Sequence, residues 1–287
     1  MKSSPAHSPP SGSDPVVLTA SGRRLGPRQR QRLTLGIQYA IFVLLVGLVI
    51  FGADWATITK EFLNQDVAGK MFPRIIVVGL FNTVVYTLLA FIFGFVVGLI
   101  MALMRLSKVT PYRWFATAYI ELFRGLPALL VLFLVGYGIP TAFPDREIPG
   151  GVYGQVTIGL GLVASAYMAE TFRAGIQAVP KGQVEAARTL GMSHARAMIS
   201  IVLPQAIRIV IPPLTNEIIL LTKDTSLVYV LGTTVTTQEL TGMGREQLNT
   251  LVNATPLVVA GLMYLVITLP LSQVVRRLEV RAAKGTR

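Results

Sequence analysis

Apolar blocks long enough to cross a bilayer recur along this chain, and no other feature limits its fold as tightly. A helix rises ~1.5 Å per residue, so about 20 apolar residues cross the ~30 Å hydrocarbon core. Residues 33–52 form an uncharged block of that length, and 75–104 form a longer one. Further blocks lie at 114–139, 152–172, 201–221 and 254–274. The third is interrupted by Glu121, Arg124 and Pro127, and the fifth carries Arg208, Pro212, Pro213, Asn216 and Glu217. Hydrocarbon offers backbone N–H and C=O groups no water to bond, so each block must satisfy them internally as a helix. The expected fold is all-α, a polytopic helical membrane protein with about six transmembrane helices. The block 75–104 is long for one crossing, so it tilts or begins as a helix lying at the interface. Its Gly94 and Gly98 have the small-residue spacing that lets two helix backbones approach, and they are read as packing residues.

Composition narrows the functional classes. Hydrophobic residues make up 52% of the chain and charged ones 14%, which excludes an ordinary soluble domain. The net charge of +12 does not point to a nucleic-acid partner, because the basic residues punctuate the apolar blocks instead of gathering on one face. The chain has no cysteine, so disulfides, thiol catalysis and cysteine metal sites are excluded. His7 and His194 belong to no ligand cluster, and neither a metal site nor a catalytic residue is expected. Residues 1–32, rich in Ser, Pro and Arg, read as a disordered basic tail, and 276–287 as a second basic tail. A cleaved signal peptide is not expected, since the first apolar block starts too late and runs too long. The mixed-charge stretch 54–74, with Trp55 near its start, reads as interfacial. In the loop 222–253, the part 226–231 is apolar enough to re-enter or line a cavity.

Charge also orients the blocks. With the N-terminal tail inside, the tails, the 105–113 loop and the segment from Arg173 to 204 are cytosolic and hold 18 of the 26 Lys and Arg residues. The outer loops around 54–74, 140–151 and 222–253 hold six. Positive residues favour the cytosolic side, so both termini and the segment 180–204 are expected there.

That segment, PKGQVEAARTLGMSHARAMISIVLP, is the longest stretch between two apolar blocks that can stay ordered in the cytosol. Pro180 and Gly182 break the preceding helix, and 183–190 read as a short helix of good formers. Gly191 can end it in a left-handed turn, and Ser193 can cap a second helix running towards Pro204. Small residues (Ala186, Ala187, Ala195, Ala197) leave room for another protein's surface. The pattern Glu185-Ala186-Ala187, Gly191, Ile201 and Leu203-Pro204 resembles the signature of the membrane permeases of ATP-binding-cassette importers. The resemblance implies a coupling helix seated in a groove of a separate ATPase subunit, with Glu185, Ala186, Ala187, Gly191, Leu203 and Pro204 in the coupling region. ATP and Mg would be used by that partner and no cofactor bound by this chain, whose residues contain no G-x-x-x-x-G-K-[ST] phosphate loop.

Charges inside the blocks need protein, water or substrate around them, since each costs about 2.5–3.5 kcal/mol in hydrocarbon on insertion scales. Glu121 and Arg124 are spaced to pair on one helix face, and Glu170 and Arg173 repeat the device. For Glu121 and Arg173 an ion pair pinning helices is the favoured reading. For Arg124, Tyr167, Glu170, Asn216 and Asp224, cavity lining and a structural role both stand open. The runs Glu-x-x-Arg-Gly-x-Pro, Ala-Glu-x-x-Arg-x-Gly and Lys-Asp-Thr-Ser resemble, more narrowly, the bacterial importers of polar amino acids of the histidine, glutamine and glutamate type. The resemblance covers a five-span core, 72–275, and leaves 33–52 as an extra N-terminal span. It implies an inner-membrane location, a second permease chain (the same or a sister), an external amino-acid-binding protein, surrounding lipid and a polar amino acid as substrate. Leu126 stands where that family usually has Thr, which bears on substrate choice. An ion-coupled secondary transporter is the alternative, but it leaves 180–204 unexplained. An intramembrane enzyme lacks both a His-Glu-x-x-His metal site and a nucleophile with a nearby base.

Overall fold

The computed structural model of the chain describes residues 26–284, with side chains to Arg281. Most of the N-terminal tail, and 285–287 of the C-terminal one, lie outside the described residues. The described residues form helices and no strand. The chain divides between Ile58 and Thr59, and its two parts are taken in turn.

The first part is dominated by α1, Pro27–Gly52, none of whose residues is buried. It starts inside the expected tail. Pro27 suits the first turn because its missing N–H would have no helical partner there, and the Gly26 N–H donates to the Gln29 side chain at 3.3 Å. The Arg and Gln residues that follow are good helix formers, so the span extends towards the basic tail as one helix. Helix α2, Trp55–Phe62, carries the division between the two parts.

The second part is built around two long helices, α4 and α8. After α3, Gln65–Met71, a π-helical turn at Ile75–Leu80 leads into α4, Phe81–Leu106. Next come α5, Thr110–Gly125, α6, Ala128–Phe133, and α7, Ile139–Ala142. Helix α8, Val152–Gln177, follows. A Cβ on Gly98 would lie 2.7 Å from the Ser165 carbonyl oxygen, and one on Gly94 would lie 3.1 Å from the Ala164 Cβ. On α8, a Cβ on Gly161 would lie 2.5 Å from the Phe93 ring. The backbones therefore touch where the small-residue spacing on α4 predicts a contact. The register is parallel: Gly94 faces 161–165 and Gly98 faces 165–169.

Parallel neighbours settle how the segment between them is counted. If α4 and α8 cross in the same direction, residues 110–142 must return the chain to its starting side. The pair α5 and α6–α7 is bent by 104°, so the expected third span is a broken one. The break falls at Leu126, whose φ and ψ of −91° and 139° are extended, because Pro127 excludes the residue before it from helical backbone. With that pair counted as one crossing, the described residues hold six candidate spans.

The remaining helices are α9, Lys181–Thr189, α10, His194–Ala197, α11, Leu203–Asp224, α12, Leu240–Leu251, and α13, Thr255–Lys284. A π-helical turn at Met198–Val202 joins α10 to α11, and another at Leu134–Gly138 joins α6 to α7. Each precedes a proline (Pro204, Pro140) whose ring would strike the carbonyl four residues back, Ser200 or Gly136. Widening that turn relieves the clash. A 3-10 segment, Thr225–Leu231, prolongs α11 with Val228 and Leu231 buried, so this part of the stretch 222–253 continues the span and packs inside the protein. Helix α13 also runs nine residues into its expected tail. Two loops read as lying on one side meet there: the Ala254 N–H donates to the Glu61 carbonyl at 2.8 Å, and Asn253 donates to the Lys60 carbonyl at 3.0 Å.

Candidate functional site

Helix α9 ends in the turn its glycine predicts. Gly191 has φ +85°, the Met192 N–H donates to the Ala187 carbonyl at 3.1 Å, and the Gly191 N–H donates to the Arg188 carbonyl at 3.0 Å. This double bond pattern reverses the chain at a left-handed residue and satisfies carbonyls that the helix leaves open. Ser193 then caps α10 by accepting from the Arg196 N–H at 3.3 Å. The element is held from one side only. Val184 packs on Val179, Val202 and Ala206, and Gln205 donates to Gln183 at 2.6 Å. Ala187 is buried, while Glu185 and Ala186 face outwards. Leu190 is 86% exposed, and Leu203 and Pro204 are exposed at the start of α11.

The polar positions expected along the path form one cluster and two outliers. Glu170 accepts from Arg173 at 2.6 Å and pairs through its other oxygen with Arg105. The parallel register explains the second contact: Arg105 lies two turns beyond Gly98, level with this part of α8. Arg173 also donates to Gln177 at 2.6 Å. The expected Glu121–Arg124 pair is not formed. Glu121 lies 3.9 Å from Arg105, and the Arg124 guanidinium lies 5.6 Å from the centre of the Tyr167 ring. An aromatic face attracts a guanidinium, and Tyr167 on α8 supplies one at the last turn of α5, while Arg105 takes up Glu121. Arg124, Tyr167 and Glu170 are thus gathered on α5 and α8. Asn216, exposed on α11, and Asp224, half-buried at its end, make no hydrogen bond or ion pair with them.

A second polar assembly lies at the other end of α4 and was not anticipated. The Asn82 amide donates to the carbonyls of Thr236 and Gln238, both at 2.8 Å, and accepts from the Tyr153 hydroxyl at 2.6 Å. Tyr86 donates to the Thr237 carbonyl at 2.7 Å, and the Leu240 N–H donates to Thr83 at 3.2 Å. Fully buried Glu239 caps α12, accepting from the Gly242 N–H at 2.6 Å and from Tyr264 at 3.0 Å. Burial pushes its carboxyl up to about 7, against the opposing pull of those hydrogen bonds. The signal was available: Asn82, Thr83, Tyr86 and Thr87 recur at i, i+1, i+4 and i+5, a polar stripe along an apolar helix.

Residues 94–284 match the family described as binding-protein-dependent transport system inner membrane component. The chain belongs to this family. It is 38% identical over 265 residues to the arginine transport system permease protein ArgU of Corynebacterium glutamicum, covering 88% of this chain and 82% of that one. It is 38% identical over 210 residues to the glutamate/aspartate import permease protein GltK of Escherichia coli, covering 71% of this chain and 92% of that one. Among solved structures, an amino acid ABC transporter crystallised with histidines matches with a TM-score of 0.67 at 38% identity, over 74% of this chain and 95% of that one. The family of this inner membrane component is the one its Glu-Ala-Ala pattern resembles. It is a multi-pass transport subunit.

Proposed function

We propose that this chain is the permease subunit of an ATP-driven importer of polar amino acids in a bacterial inner membrane. A separate ATPase hydrolyses ATP with Mg, and an external binding protein delivers the substrate. The observation that carries the reading is α9, a short helix fastened through Gln183 and Val184, with Glu185 and Ala186 turned outwards and a largely exposed Leu190 at its end. An exposed leucine beside a rigid turn suits the groove of a partner protein. The relatives named for arginine and for glutamate and aspartate support the substrate class. Arg124 and Tyr167, with Asn216 and Asp224 on α11, line the substrate path, and Glu170 holds the path's inner end through its arginines. A second permease chain, the same or a sister, completes the path. Both termini face the cytosol.

Reconstitution with the ATPase and binding protein in liposomes tests the proposal. Labelled arginine, glutamine or glutamate is expected to accumulate only with ATP. Accumulation driven by an ion gradient without ATP overturns the reading. In the same assay Gly191→Val places a β-branched residue in a left-handed conformation, at about 1–2 kcal/mol. Uptake and substrate-stimulated ATP hydrolysis are expected to fall together, whereas full activity in the assembled variant removes the turn from the coupling mechanism. Orientation is read from single cysteines, since the chain has none. Ser193→Cys should react only with reagents that reach the cytosol and Thr141→Cys from outside; the reverse pattern inverts the topology.

A further inference from the structure

Beyond the path residues lies a pocket of about 380 Å³ at the far end of α11 from the coupling element. It is lined by Tyr229 and Thr233 on one side and by Gln238, Arg245, Glu246 and Asn249 on the other. Small-molecule sites run from about 300 to 1,000 Å³, so the space suits a compact ligand.

Its charges are arranged in an unusual way. Arg245 and Glu246 are adjacent on α12, so the helix points them in different directions and they cannot pair with each other. The Arg245 guanidinium lies 4.6 Å from the centre of the Tyr229 ring, and no carboxylate among the described residues pairs with it. Glu246 accepts from the Gln238 amide N–H at 2.7 Å. An ionised carboxylate only accepts, so this bond fixes the Gln238 amide with its nitrogen towards Glu246. The Gln238 Oε1 is then left without a partner, although the residue is only 7% exposed. That oxygen has no accessible surface and faces away from the pocket's open space, which leaves Glu246 as the pocket's acceptor.

We propose that this pocket is an entry site for the zwitterionic head of an α-amino acid. The carboxylate meets Arg245, and the ammonium meets Glu246. A guanidinium already stacked on an aromatic ring is held in place for a planar carboxylate. The site recognises the part common to all α-amino acids and leaves side-chain choice to the Arg124–Tyr167 region. The inference rests on the import reading, under which this end of α11 faces the incoming substrate.

The test uses the full chain with its ATPase in nanodiscs, without binding protein or ATP. Probes are labelled L-arginine, L-glutamine and L-glutamate, the α-decarboxylated amine of each, and the deaminated acid of each. Wild type is expected to bind at least one amino acid. Arg245→Gln should weaken that binding roughly ten- to a hundredfold, as loss of a charge-assisted bond does, while leaving the amine unchanged. Glu246→Gln should weaken binding of the amino acid and the amine but not of the deaminated acid. A general structural role for either residue would move all probes together, and that outcome overturns the site. Wild-type affinity for the amino acid in both variants overturns it too, as does absence of binding in a wild type that imports the same amino acid. A wild type that neither binds nor imports any of the three takes the import reading down with it. If one variant fails to assemble, the other decides the question alone.

Discussion

Helices α1 and α8 are both 26 residues long, yet they are built on opposite principles. The most apolar window of α1 has a mean hydropathy of 2.4 and that of α8 only 1.3, but α8 is the buried one. In water the more apolar helix would be expected in the core. In a bilayer, lipid is as apolar as leucine, and burial goes to the helix whose small residues let backbones approach. Gly159, Gly161, Ala164, Ser165, Ala166 and Ala169 make α8 such a helix, whereas α1 presents Phe42, Val43, Leu44 and Leu48 outwards. Hydropathy reports where a chain can cross the membrane; the distribution of small residues reports what the crossing touches.

The strongest attempt to break this comparison is Gly98→Val. The new Cβ would sit 2.7 Å from a backbone oxygen and 3.2 Å from a backbone nitrogen of α8, atoms that no side-chain rotation can move. Overpacking of this kind costs about 1–3 kcal/mol and occasionally more. Because backbone must shift, about 3 kcal/mol or above is expected, seen as a large drop in the thermal unfolding midpoint in detergent and in recovery of monodisperse protein. A midpoint unchanged from wild type would mean that the two helices are not held by this contact.

How much of this was legible beforehand follows from the same distinction. Apolar length is local, so the blocks were readable, as was the helix-turn-helix at Pro180–Ser193, because Gly191 and Ser193 act on their own backbone. Gly94 and Gly98 marked a packing face but could not name its partner. Register between helices is a property of two distant segments, and Arg105 illustrates the consequence. In sequence it belongs to a basic loop with Lys108 and Arg113; in space the parallel register delivers it to Glu170. The interruption at Leu126-Pro127 was visible, while its 104° bend depends on what the two halves pack against. The stripe of Asn82, Thr83, Tyr86 and Thr87 could have been found by counting helical periods. Its targets, backbone carbonyls of the loop 236–238, carry no side-chain signature.

A smaller effect is expected from Glu170→Gln, which asks whether the polar residues of α8 fasten the protein or serve its cargo. Its carboxylate is 19% exposed and shared between Arg105 and Arg173. Exposed pairs contribute about 0–1 kcal/mol, and breaking a buried one costs about 3–5 kcal/mol. A partly solvated cluster falls between them, so about 1–3 kcal/mol of stability should be lost as two arginines lose their partner. Half-saturation for uptake should stay within about twofold of wild type. A weakened half-saturation with an unchanged unfolding midpoint would instead make Glu170 a substrate contact, and the role of α8 would be redrawn around it.

The smallest effect sharpens the other half of the comparison. Gly47 lies in α1, and a Cβ built there meets nothing within 4 Å. Gly47→Val is therefore the counterpart of Gly98→Val, the same change of residue on an equally apolar helix, with the neighbour removed. Replacing glycine in a helix relieves its excess backbone freedom, and valine gives part of that back through its restricted side chain, so the two terms nearly cancel. The unfolding midpoint should stay within the equivalent of about 0.5 kcal/mol, the usual range for substitutions away from packed contacts. The measurement needs the full chain in a bilayer as well as in detergent, because a partner helix in the membrane would be lost on extraction. A loss in the bilayer alone, approaching that of Gly98→Val, would mean that α1 has a packing face of its own centred on Gly47. Equal, small effects in both media leave α1 as a lipid-facing span, set apart from α8 by its neighbours and not by its composition alone.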